Sequence, residues 1–403
     1  MAEEAAYVEL AEWLREQGAL FPESLYFMNG KVSTHIDPNR GFGLYSHKSI
    51  EANSRVMAIP QSCIISPSTC RTSLQSLYQL CENDQITSRD FLVLYLVLHR
   101  MIDPLVLAQV PGVFKHVAYV HSLPKDIATP IHYYASELDL LTGTSLHAAA
   151  KTRRTNAESS AERMAAWLSD NQCKAPDAFS TQLNAGLSDR KKWTDCWLWA
   201  TSIYTSRSFP PSIAGWADTA ESTGPVLIPG LDCLNHRRGE PVDWYFSDEC
   251  ACFSRRSHLE SASQIFNNYG AKSNEELLLL YGFVEPNGPD DMLTITLRNT
   301  NADYTKQFYW YKSSAAPPAE MISFLESQVA EPKVDRADIA SLLRQAEACE
   351  AMEEFFDTSI TIFNRVQYEV DDALPWISDD GCDGVRDHVL ESIRVYREGM
   401  DSY

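Results

Sequence analysis

The stretch Ile265–Val284, IFNNYGAKSNEELLLLYGFV, contains two Tyr-Gly dipeptides separated by a polar segment and a run of four leucines. Ser273 and Glu276 have the spacing of a capping box, in which each side chain bonds the backbone N–H of the other residue at the start of a helix. The pattern predicts a short helix through Leu277–Leu280. Such a helix would bring the second Tyr-Gly dipeptide back towards the first.

Three aromatic side chains would then converge on one place, those of Tyr269, Tyr281 and Phe283. Aromatic residues beside an apolar run are usually part of a core, so this stretch alone does not indicate a site. A second stretch, Leu227–His236 (LIPGLDCLNH), places three polar residues in an apolar strand-and-turn context, namely Asp232, Asn235 and His236. Polar groups are costly to bury unless each is bonded, and a ligand is one candidate partner.

Together the two stretches resemble the paired signature of SET-domain methyltransferases. The form here is D-x-x-N-H followed by Y-G-x-K-S-N-x-E-L-L-x-x-Y-G-F. It is similar to the branch that contains the Rubisco large-subunit methyltransferases and the lysine methyltransferases of ribosomal proteins and elongation factors. The resemblance implies an α+β fold, with a β-rich SET core interrupted by a helical insertion and followed by an all-α C-terminal domain.

The rest of the chain fits this organisation. Short strand-like runs lie between Lys31 and Ile65, namely VSTHI, GFGLYS, SRVMAIP and SCIIS, and helical patterns fill most of the chain from Ser68 to Pro225. We therefore expect four segments: residues 1–70 (an N-terminal helix and the first part of the SET core), 71–224 (the helical insertion), 225–290 (the second part of the core, with both motifs) and 291–403 (a helical, substrate-binding domain).

The resemblance implies cofactor-binding residues. Gly41-Phe42-Gly43-Leu44 resembles the family's G-x-G-L segment, whose backbone lies against S-adenosylmethionine, because glycine lets a main chain approach a ligand closely. A tight turn between strands explains G-F-G equally well. Asn235 and His236 match the family's cofactor-contacting pair, and we expect His236 to act mainly through its backbone and through packing around the adenine. The residue that matches the family's catalytic tyrosine, beside the transferred methyl group, is Tyr269.

The resemblance also implies substrate-binding residues. Tyr281 and Phe283 resemble the residues that line the channel for the target side chain. Ser206-Arg207-Ser208-Phe209 resembles the family's S-R-x-F, in which Arg207 and Phe209 would border the cleft between cofactor and target. An arginine after a Trp-rich helix is equally typical of a structural ion pair.

The chain departs from the family pattern just before the Tyr-Gly turn. Ala262-Ser263-Gln264 stands where relatives commonly have Gly-Glu, and Asn267-Asn268 stands where a hydrophobic or small residue is commoner. Neither departure removes a catalytic group. Both lie close enough to the turn to change which side chain fits the channel.

Composition limits the class of partner. The chain has 403 residues and a net charge of -21, from 55 acidic and 34 basic side chains, which argues against direct binding of nucleic acid. No apolar run approaches the length of a membrane span, and the acidic N-terminus does not resemble a secretory signal. The ten cysteines of the chain include no CxxC pair, so we expect no bound metal ion. We expect a cytoplasmic monomer, with the nucleus left open.

The sequence therefore predicts an S-adenosylmethionine-dependent protein-lysine N-methyltransferase that acts on a non-histone protein. By analogy with the branch, the favoured substrate is a ribosomal protein or a translation elongation factor. Two alternatives stay open: a protein-histidine N-methyltransferase of the same branch, and a non-catalytic SET-fold binding protein.

Overall fold

The computed structural model describes residues 2–29, 41–78, 86–110, 112–171, 173–216, 224–299, 304–329, 337–372 and 385–400. The chain forms two compact units. The first comprises Met1–Ile127 and Arg154–Gly270, and the second comprises Ala128–Arg153 and Ala271–Tyr403. The boundaries expected near residues 70, 224 and 290 divide the chain by sequence segment and not by compact unit, and they stay predictions.

The first unit contains two three-stranded antiparallel sheets and a two-stranded one. Their orders are β1-β2-β8, β3-β7-β6 and β4-β5. The strands are β1 (Leu25–Asn29), β2 (Phe42–Ser46), β3 (Ser54–Pro60), β4 (Ser208–Phe209), β5 (Val226–Leu227), β6 (Val242–Ser247), β7 (Cys250–Arg255) and β8 (Ser263–Ile265). Strands from both ends of the long insertion thus pair with one another, as expected of a core that is interrupted in sequence.

Two of the four predicted strand-like runs are confirmed, because GFGLYS and SRVMAIP contain β2 and β3. The run VSTHI, residues 32–36, lies outside the described residues. The prediction for SCIIS is wrong: Gln61–Cys63 forms a 3-10 turn, and Ile65 pairs only through an isolated bridge to Leu227. The physical reason is that Ser66 caps the next helix, its hydroxyl accepting the backbone N–H of Thr69 at 3.1 Å, which leaves no room for a strand.

Thirteen α-helices occupy the described residues: α1 (Ala2–Glu16), α2 (Pro67–Gln75), α3 (Ser88–Met101), α4 (Pro104–Leu107), α5 (Val117–Ser122), α6 (Ala135–Asp139), α7 (Ser145–Asp170), α8 (Asp177–Ser188), α9 (Arg190–Arg207), α10 (Asn274–Glu276), α11 (Ala319–Glu326), α12 (Ala337–Asp372) and α13 (Asp387–Met400). Within residues 71–224 the only strand of the described residues is β4. The prediction that this region is helical is confirmed.

Helix α3 lies in the core of the first unit. Its capping box is complete, since the Thr87 backbone N–H donates to Asp90 Oδ2 at 2.9 Å, and Ser160 Oγ on α7 donates to Asp90 Oδ1 at 2.6 Å. Every residue from Phe91 to Leu98 is buried. A helix that is apolar on all sides must be surrounded by protein, and this one anchors the insertion to the rest of the unit.

The second unit contains a two-stranded antiparallel sheet, β9 (Met292–Arg298) and β10 (Thr305–Tyr311), in addition to helices. The α+β class is confirmed, but residues 291–403 are not all α, which corrects that part of the prediction. The cause is local: MLTITL alternates with a period of two, and the facing pair Ile295 and Phe308 is buried against α11 and α12.

Within the described ranges, no helix is both long and apolar enough to cross a membrane. Over the same residues, no group of three or more His, Cys, Asp and Glu side chains is arranged to hold a metal ion.

Candidate active site

Tyr269 lies along the backbone of the Asn-His stretch. Its hydroxyl donates to the carbonyl oxygen of Leu234 at 2.8 Å, and its backbone N–H donates to Nδ1 of His236 at 3.0 Å. The Tyr269 and His236 rings stack with centroids 4.9 Å apart and an interplanar angle of 19°. The two motifs therefore meet in space, and hydrogen bonds fix the tyrosine at both its hydroxyl and its backbone.

A short parallel bridge holds the two stretches together. The Asn267 N–H donates to the carbonyl oxygen of Asn235 at 2.8 Å, and the Arg237 N–H donates to the carbonyl oxygen of Asn267 at 2.9 Å. Asn267 and His236 are each 1% exposed. This pairing sets the register between the Asn-His stretch and the Tyr-Gly turn, and it leaves His236 buried beneath the turn.

The two asparagines that depart from the family pattern stabilise the turn. Asn267 Oδ1 accepts the backbone N–H of Asn268 at 2.8 Å and the indole N–H of Trp244 at 3.0 Å. Asn268 Oδ1 accepts the backbone N–H of Gly270 at 3.0 Å. Gly270 has φ +94°, in the region that favours glycine. Side-chain acceptors thus replace the backbone partners that an open turn lacks.

The glycine segment and Asn235, both expected from the resemblance to bind the cofactor, lie next to each other. The Asn235 amide donates to the carbonyl oxygen of Phe42 at 3.4 Å. A Cβ atom at Gly43 would lie 3.0 Å from Asn235 Nδ2 and would collide with Nε2 of Gln264. A larger residue at this position would require the ends of both side chains to shift. Gly43 and Leu44 are both buried, backbone included, so a contact of either residue with a ligand stays a prediction.

The Phe42 ring packs against an aromatic ring of α1, which in turn packs against one of β1. Its ring lies 4.5 Å from that of Tyr7 on α1, and Tyr7 in turn lies 4.8 Å from Phe27 on β1. Gly41, which precedes β2, has φ +66°, and a Cβ atom there would meet none of the described residues within 4 Å, so its glycine is required by the backbone conformation alone. Helix α1 therefore does more than cover the core, because it supports the segment that carries the predicted cofactor contacts.

Arg207 takes part in a buried ion pair. Its Nη1 donates to the backbone oxygen of Asp232 at 2.9 Å and to its Oδ2 at 3.3 Å, and the Tyr119 hydroxyl donates to the same Oδ2 at 2.8 Å. Burial raises the pKa of the Asp232 carboxyl, although the Arg207 charge acts to lower it. Arg207 therefore forms the structural ion pair that the sequence left open as an alternative to substrate contact. Its contact with a substrate stays a prediction.

Phe209 is 7% exposed and packs edge-on against Trp244, with ring centroids 5.6 Å apart and an interplanar angle of 89°. Trp244, on β6, was not identified from the sequence, and it links Phe209 to the turn because its indole N–H bonds Asn267. No motif contains it. The only feature of the sequence that could have indicated Trp244 is an aromatic residue in a short alternating strand.

In the second unit, the predicted capping box is present. The Ser273 hydroxyl accepts the Glu276 N–H at 3.2 Å, and the Glu276 carboxylate accepts the Ser273 N–H at 3.3 Å. The chain then forms a π-helical turn, Leu277–Tyr281, and ends at Gly282 with φ +80°. The predicted short helix is thus confirmed, with a wider final turn than an α-helix has.

The rings of Tyr281 and Phe283 lie 6.2 Å apart at an interplanar angle of 60°. Burial raises the pKa of the Tyr281 hydroxyl; the charge of Lys272 acts to lower it and that of Glu276 to raise it. Tyr269 belongs to the first unit and these two residues to the second. The convergence of the three aromatic side chains therefore stays a prediction.

Gly282 and Asn274 fix the segment that carries Tyr281 and Phe283. A Cβ atom at Gly282 would lie 2.8 Å from the carbonyl carbon of Ala128. Asn274 Oδ1 accepts the Glu285 N–H at 2.7 Å, while its Nδ2 donates to the Glu285 oxygen at 2.9 Å. The sequence interpretation did not assign a role to Asn274, although its place between the capping serine and Glu276 was visible.

No protein-family model matches the chain. Among curated proteins it is similar to "Ribosomal lysine N-methyltransferase set10" of Schizosaccharomyces pombe, with 27% identity over 291 residues that cover 70% of this chain and 46% of that protein. It is also similar to "Protein-lysine N-methyltransferase EFM1" of Saccharomyces cerevisiae, with 33% identity over 128 residues that cover 30% of this chain and 22% of that protein. The chain spans less than half the length of these relatives.

Among solved structures the chain is similar to Rubisco LSMT bound to AdoMet. The two share 18% identity and a TM-score of 0.66, over 98% of this chain and 89% of that one. The SET domain of LSMT bound to lysine and AdoHcy gives 17% identity and the same TM-score of 0.66, over 98% of this chain and 88% of that one. The chain therefore has the fold of the Rubisco LSMT SET domain, and its resemblance to the SET-domain lysine methyltransferases of that branch is confirmed.

Proposed function

We propose that this protein is an S-adenosylmethionine-dependent protein-lysine N-methyltransferase with a non-histone protein substrate. The observation that carries the proposal is the meeting of three separate stretches. Tyr269 bonds Leu234 and His236, while Asn235 bonds Phe42 of the glycine segment. A tyrosine hydroxyl, a partly buried amide and a glycine segment whose first two residues, Gly41 and Phe42, are partly exposed are thus assembled beside one another.

The residues present fit the cofactor. Gly41 and Phe42 are partly exposed, so their backbone and the amide of Asn235 offer donors and acceptors for its amino and carboxylate groups, and Phe42 adds an aromatic ring. The lack of a Cβ at Gly43 lets the side-chain amides of Asn235 and Gln264 approach the main chain. When bound, S-adenosylmethionine supplies an electrophilic methyl group.

The target amine must lose a proton before it can react. With a reference pKa near 10.4, only about one lysine in a few thousand is neutral at pH 7, which is equivalent to roughly 4–5 kcal/mol. Aromatic walls lower the pKa of an enclosed ammonium by removing water, and they hold the amine in line with the methyl carbon. We assign this role to Tyr281 and Phe283.

Tyr269 orients the reacting groups in this proposal. Its hydroxyl proton points at the carbonyl oxygen of Leu234, at 2.8 Å, so its oxygen lone pairs face away from that bond. An oxygen with both lone pairs available attracts a positively polarised methyl group and an amine N–H, while its own proton stays on the oxygen. Tyr269 therefore polarises and positions, and it is not the base that takes the amine proton.

The substrate class and location extend the proposal. The similar protein set10 is a ribosomal lysine N-methyltransferase, which supports a ribosomal protein as substrate. A translation elongation factor is the other favoured class, from the branch that the motifs resemble. The net charge of -21 favours a basic polypeptide over a nucleic acid. We assign the protein to the cytoplasm, with nuclear occurrence left open, as a monomer that does not bind membranes.

The test is to incubate the purified protein and radiolabelled S-adenosylmethionine with lysate from cells that lack it, and to locate the label by mass spectrometry. A labelled lysine in a ribosomal protein or elongation factor supports the proposal. A labelled histidine would replace it with protein-histidine methylation. Absence of both label and calorimetric cofactor binding would leave the non-catalytic binding protein.

A Tyr269→Phe variant separates catalysis from binding. The ring can still stack on His236, but the hydroxyl and its bond to Leu234 are lost. We expect kcat to fall by about 100-fold or more with cofactor binding retained, which is the pattern for a group that acts mainly in the transition state. An unchanged kcat would contradict the assigned role of Tyr269.

A further inference from the structure

The Tyr-Gly turn is held by side-chain acceptors at three consecutive residues. The backbone N–H groups of Asn268, Tyr269 and Gly270 donate to Asn267 Oδ1, His236 Nδ1 and Asn268 Oδ1 at 2.8, 3.0 and 3.0 Å. Two of these acceptors come from the turn itself. The third, which holds Tyr269, comes from the other motif.

The His236 ring makes two different contacts with Tyr269. In its plane, Nδ1 accepts the Tyr269 N–H, and across its face it stacks on the phenol ring at 4.9 Å. Because Nδ1 accepts this bond it carries no proton, so the imidazole is neutral with its hydrogen on Nε2. The ring is 1% exposed and has little freedom to turn away.

These contacts and the bond to Leu234 act on the same side chain. The Tyr269 backbone is fixed by His236, its ring by the stack on His236, and its hydroxyl by the carbonyl oxygen of Leu234. Loss of the His236 side chain would remove both the acceptor of the Tyr269 N–H and the ring on which the phenol stacks.

We propose that the His236 side chain is a positioning residue for Tyr269. This inference rests on the proposed methyltransferase function and goes beyond the backbone and adenine-packing role expected of His236. His236 does not touch the reacting atoms in this account. Its imidazole sets where the Tyr269 hydroxyl lies, and a misplacement of about 1 Å is enough to cost on the order of 100-fold in rate.

Three substitutions test the hydrogen bond separately from the volume of the ring. His236→Asn keeps an acceptor, because Oδ1 of asparagine is as many bonds from Cα as Nδ1 of histidine. His236→Gln moves the acceptor one bond further out, and His236→Leu removes it. We expect kcat to fall about 10- to 100-fold in His236→Leu and His236→Gln, and His236→Asn, which keeps the acceptor but loses the stack, to have a kcat between theirs and that of the wild type.

A double-mutant cycle of His236 and Tyr269 tests the positioning role through kcat. In the Tyr269→Phe background the hydroxyl is absent, so His236→Leu should lower kcat by less than about 2-fold further. The KM for cofactor should change less than kcat in every variant. His258→Leu, a substitution of a half-exposed histidine near Glu51 and Glu260, is the matched control and should leave kcat unchanged.

Hydrogen exchange keeps the inference separate from the proposed function. The amide of Tyr269 should exchange faster in His236→Leu than in His236→Asn, whether or not any substrate is methylated. Equal exchange in both variants, a wild-type kcat in His236→Leu, or fully multiplicative losses in the Tyr269→Phe background would overturn the positioning role. If exchange differs as expected but no variant and no wild-type protein transfers methyl groups, the proposed function fails and the inference on geometry stands.

Discussion

The side chain of Asn274 closes the loop that carries Tyr281 and Phe283, and its removal should destabilise the second unit. Its Oδ1 accepts the Glu285 N–H at 2.7 Å, and its Nδ2 donates to the Glu285 oxygen at 2.9 Å and to Asp291 Oδ2 at 3.0 Å. Asn274 is 3% exposed and Asp291 is 4% exposed. Asn274→Ala deletes three hydrogen bonds and leaves a buried carboxylate with one donor fewer.

The expected loss follows from the burial of the partners. A typical hydrogen bond contributes about 1 kcal/mol net, and a buried polar group left unsatisfied costs about 1–3 kcal/mol. Two bonds to the Glu285 backbone and one to the Asp291 carboxylate therefore suggest a loss of about 4 kcal/mol in the free energy of unfolding for Asn274→Ala. Asn156→Ala, at an exposed position of α7, is the matched control and should change it by less than about 0.5 kcal/mol.

Asn274→Asp gives the same site a distinct pH dependence. It places a second carboxylate where Nδ2 now donates to Asp291, and two carboxylates in one buried site cannot both ionise, so the pKa of one is raised. A raised carboxyl pKa destabilises the folded state above that pKa, and the penalty disappears as the pH falls through it. We expect Asn274→Asp to be less stable than Asn274→Ala at pH 8 and at least as stable at pH 5.

The assay is urea denaturation at both pH values, combined with hydrogen exchange of the peptide that contains Glu285. Exchange at Glu285 should be faster in Asn274→Ala than in the wild type. A change of unfolding free energy below about 1 kcal/mol, or the same order of the two variants at pH 8 and pH 5, would refute the reasoning.

Three further outcomes are expected in chemical denaturation. Gly282→Ala should cost about 1–3 kcal/mol more than Gly270→Ala, because both glycines have positive φ but only Gly282 has backbone atoms where the Cβ would lie; equal costs would contradict this. Ala262→Gly should stabilise by about 0.5–1 kcal/mol, since Ala262 has φ +58°, whereas Ala251→Gly, at a buried strand position, should destabilise. Burial lowers the pKa of His99 from 6.5 to about 4, so keeping the imidazole neutral destabilises the folded state only when the pH drops below about 6.5. Replacing it in His99→Phe should therefore remove about 2 kcal/mol of the fall in unfolding free energy that the wild type shows between pH 7.5 and pH 5. An unchanged pH dependence of unfolding in His99→Phe would count against this explanation.

The family resemblance implied that the Asn-His stretch and the Tyr-Gly turn act together, and in the structure they are in contact. The capping box at Ser273 follows from local backbone geometry, and the structure shows it as expected. Glycine at residue 43 was expected to let a ligand approach the main chain, whereas the atoms that lie where its Cβ would be belong to the side chains of Asn235 and Gln264, which the sequence did not reveal.

The contacts that the sequence did not reveal join residues far apart in the chain. The Trp244 indole bonds Asn267 across 23 residues, and Asn274 bonds Asp291 across 17. Neither contact follows from propensity or periodicity, because each depends on how strands and turns are placed in three dimensions. The error at SCIIS has the opposite origin, since a local helix cap at Ser66 prevailed over strand propensity.

The position of the Tyr269 hydroxyl is set by the hydrophobic core as well as by polar groups. The Leu234 side chain is 1% exposed within the core cluster of the first unit, while its carbonyl oxygen accepts the hydroxyl of Tyr269. A carbonyl in this setting cannot shift without moving a packed leucine, and a close-packed interior resists such movement. The apolar residues that surround Asp232 and Asn235 in LIPGLDCLNH thus give the polar groups of the site their precision. The departures at Asn267 and Asn268 add hydrogen bonds to this framework without replacing it, because the backbone pairing of Asn267 with Asn235 is independent of both asparagine side chains.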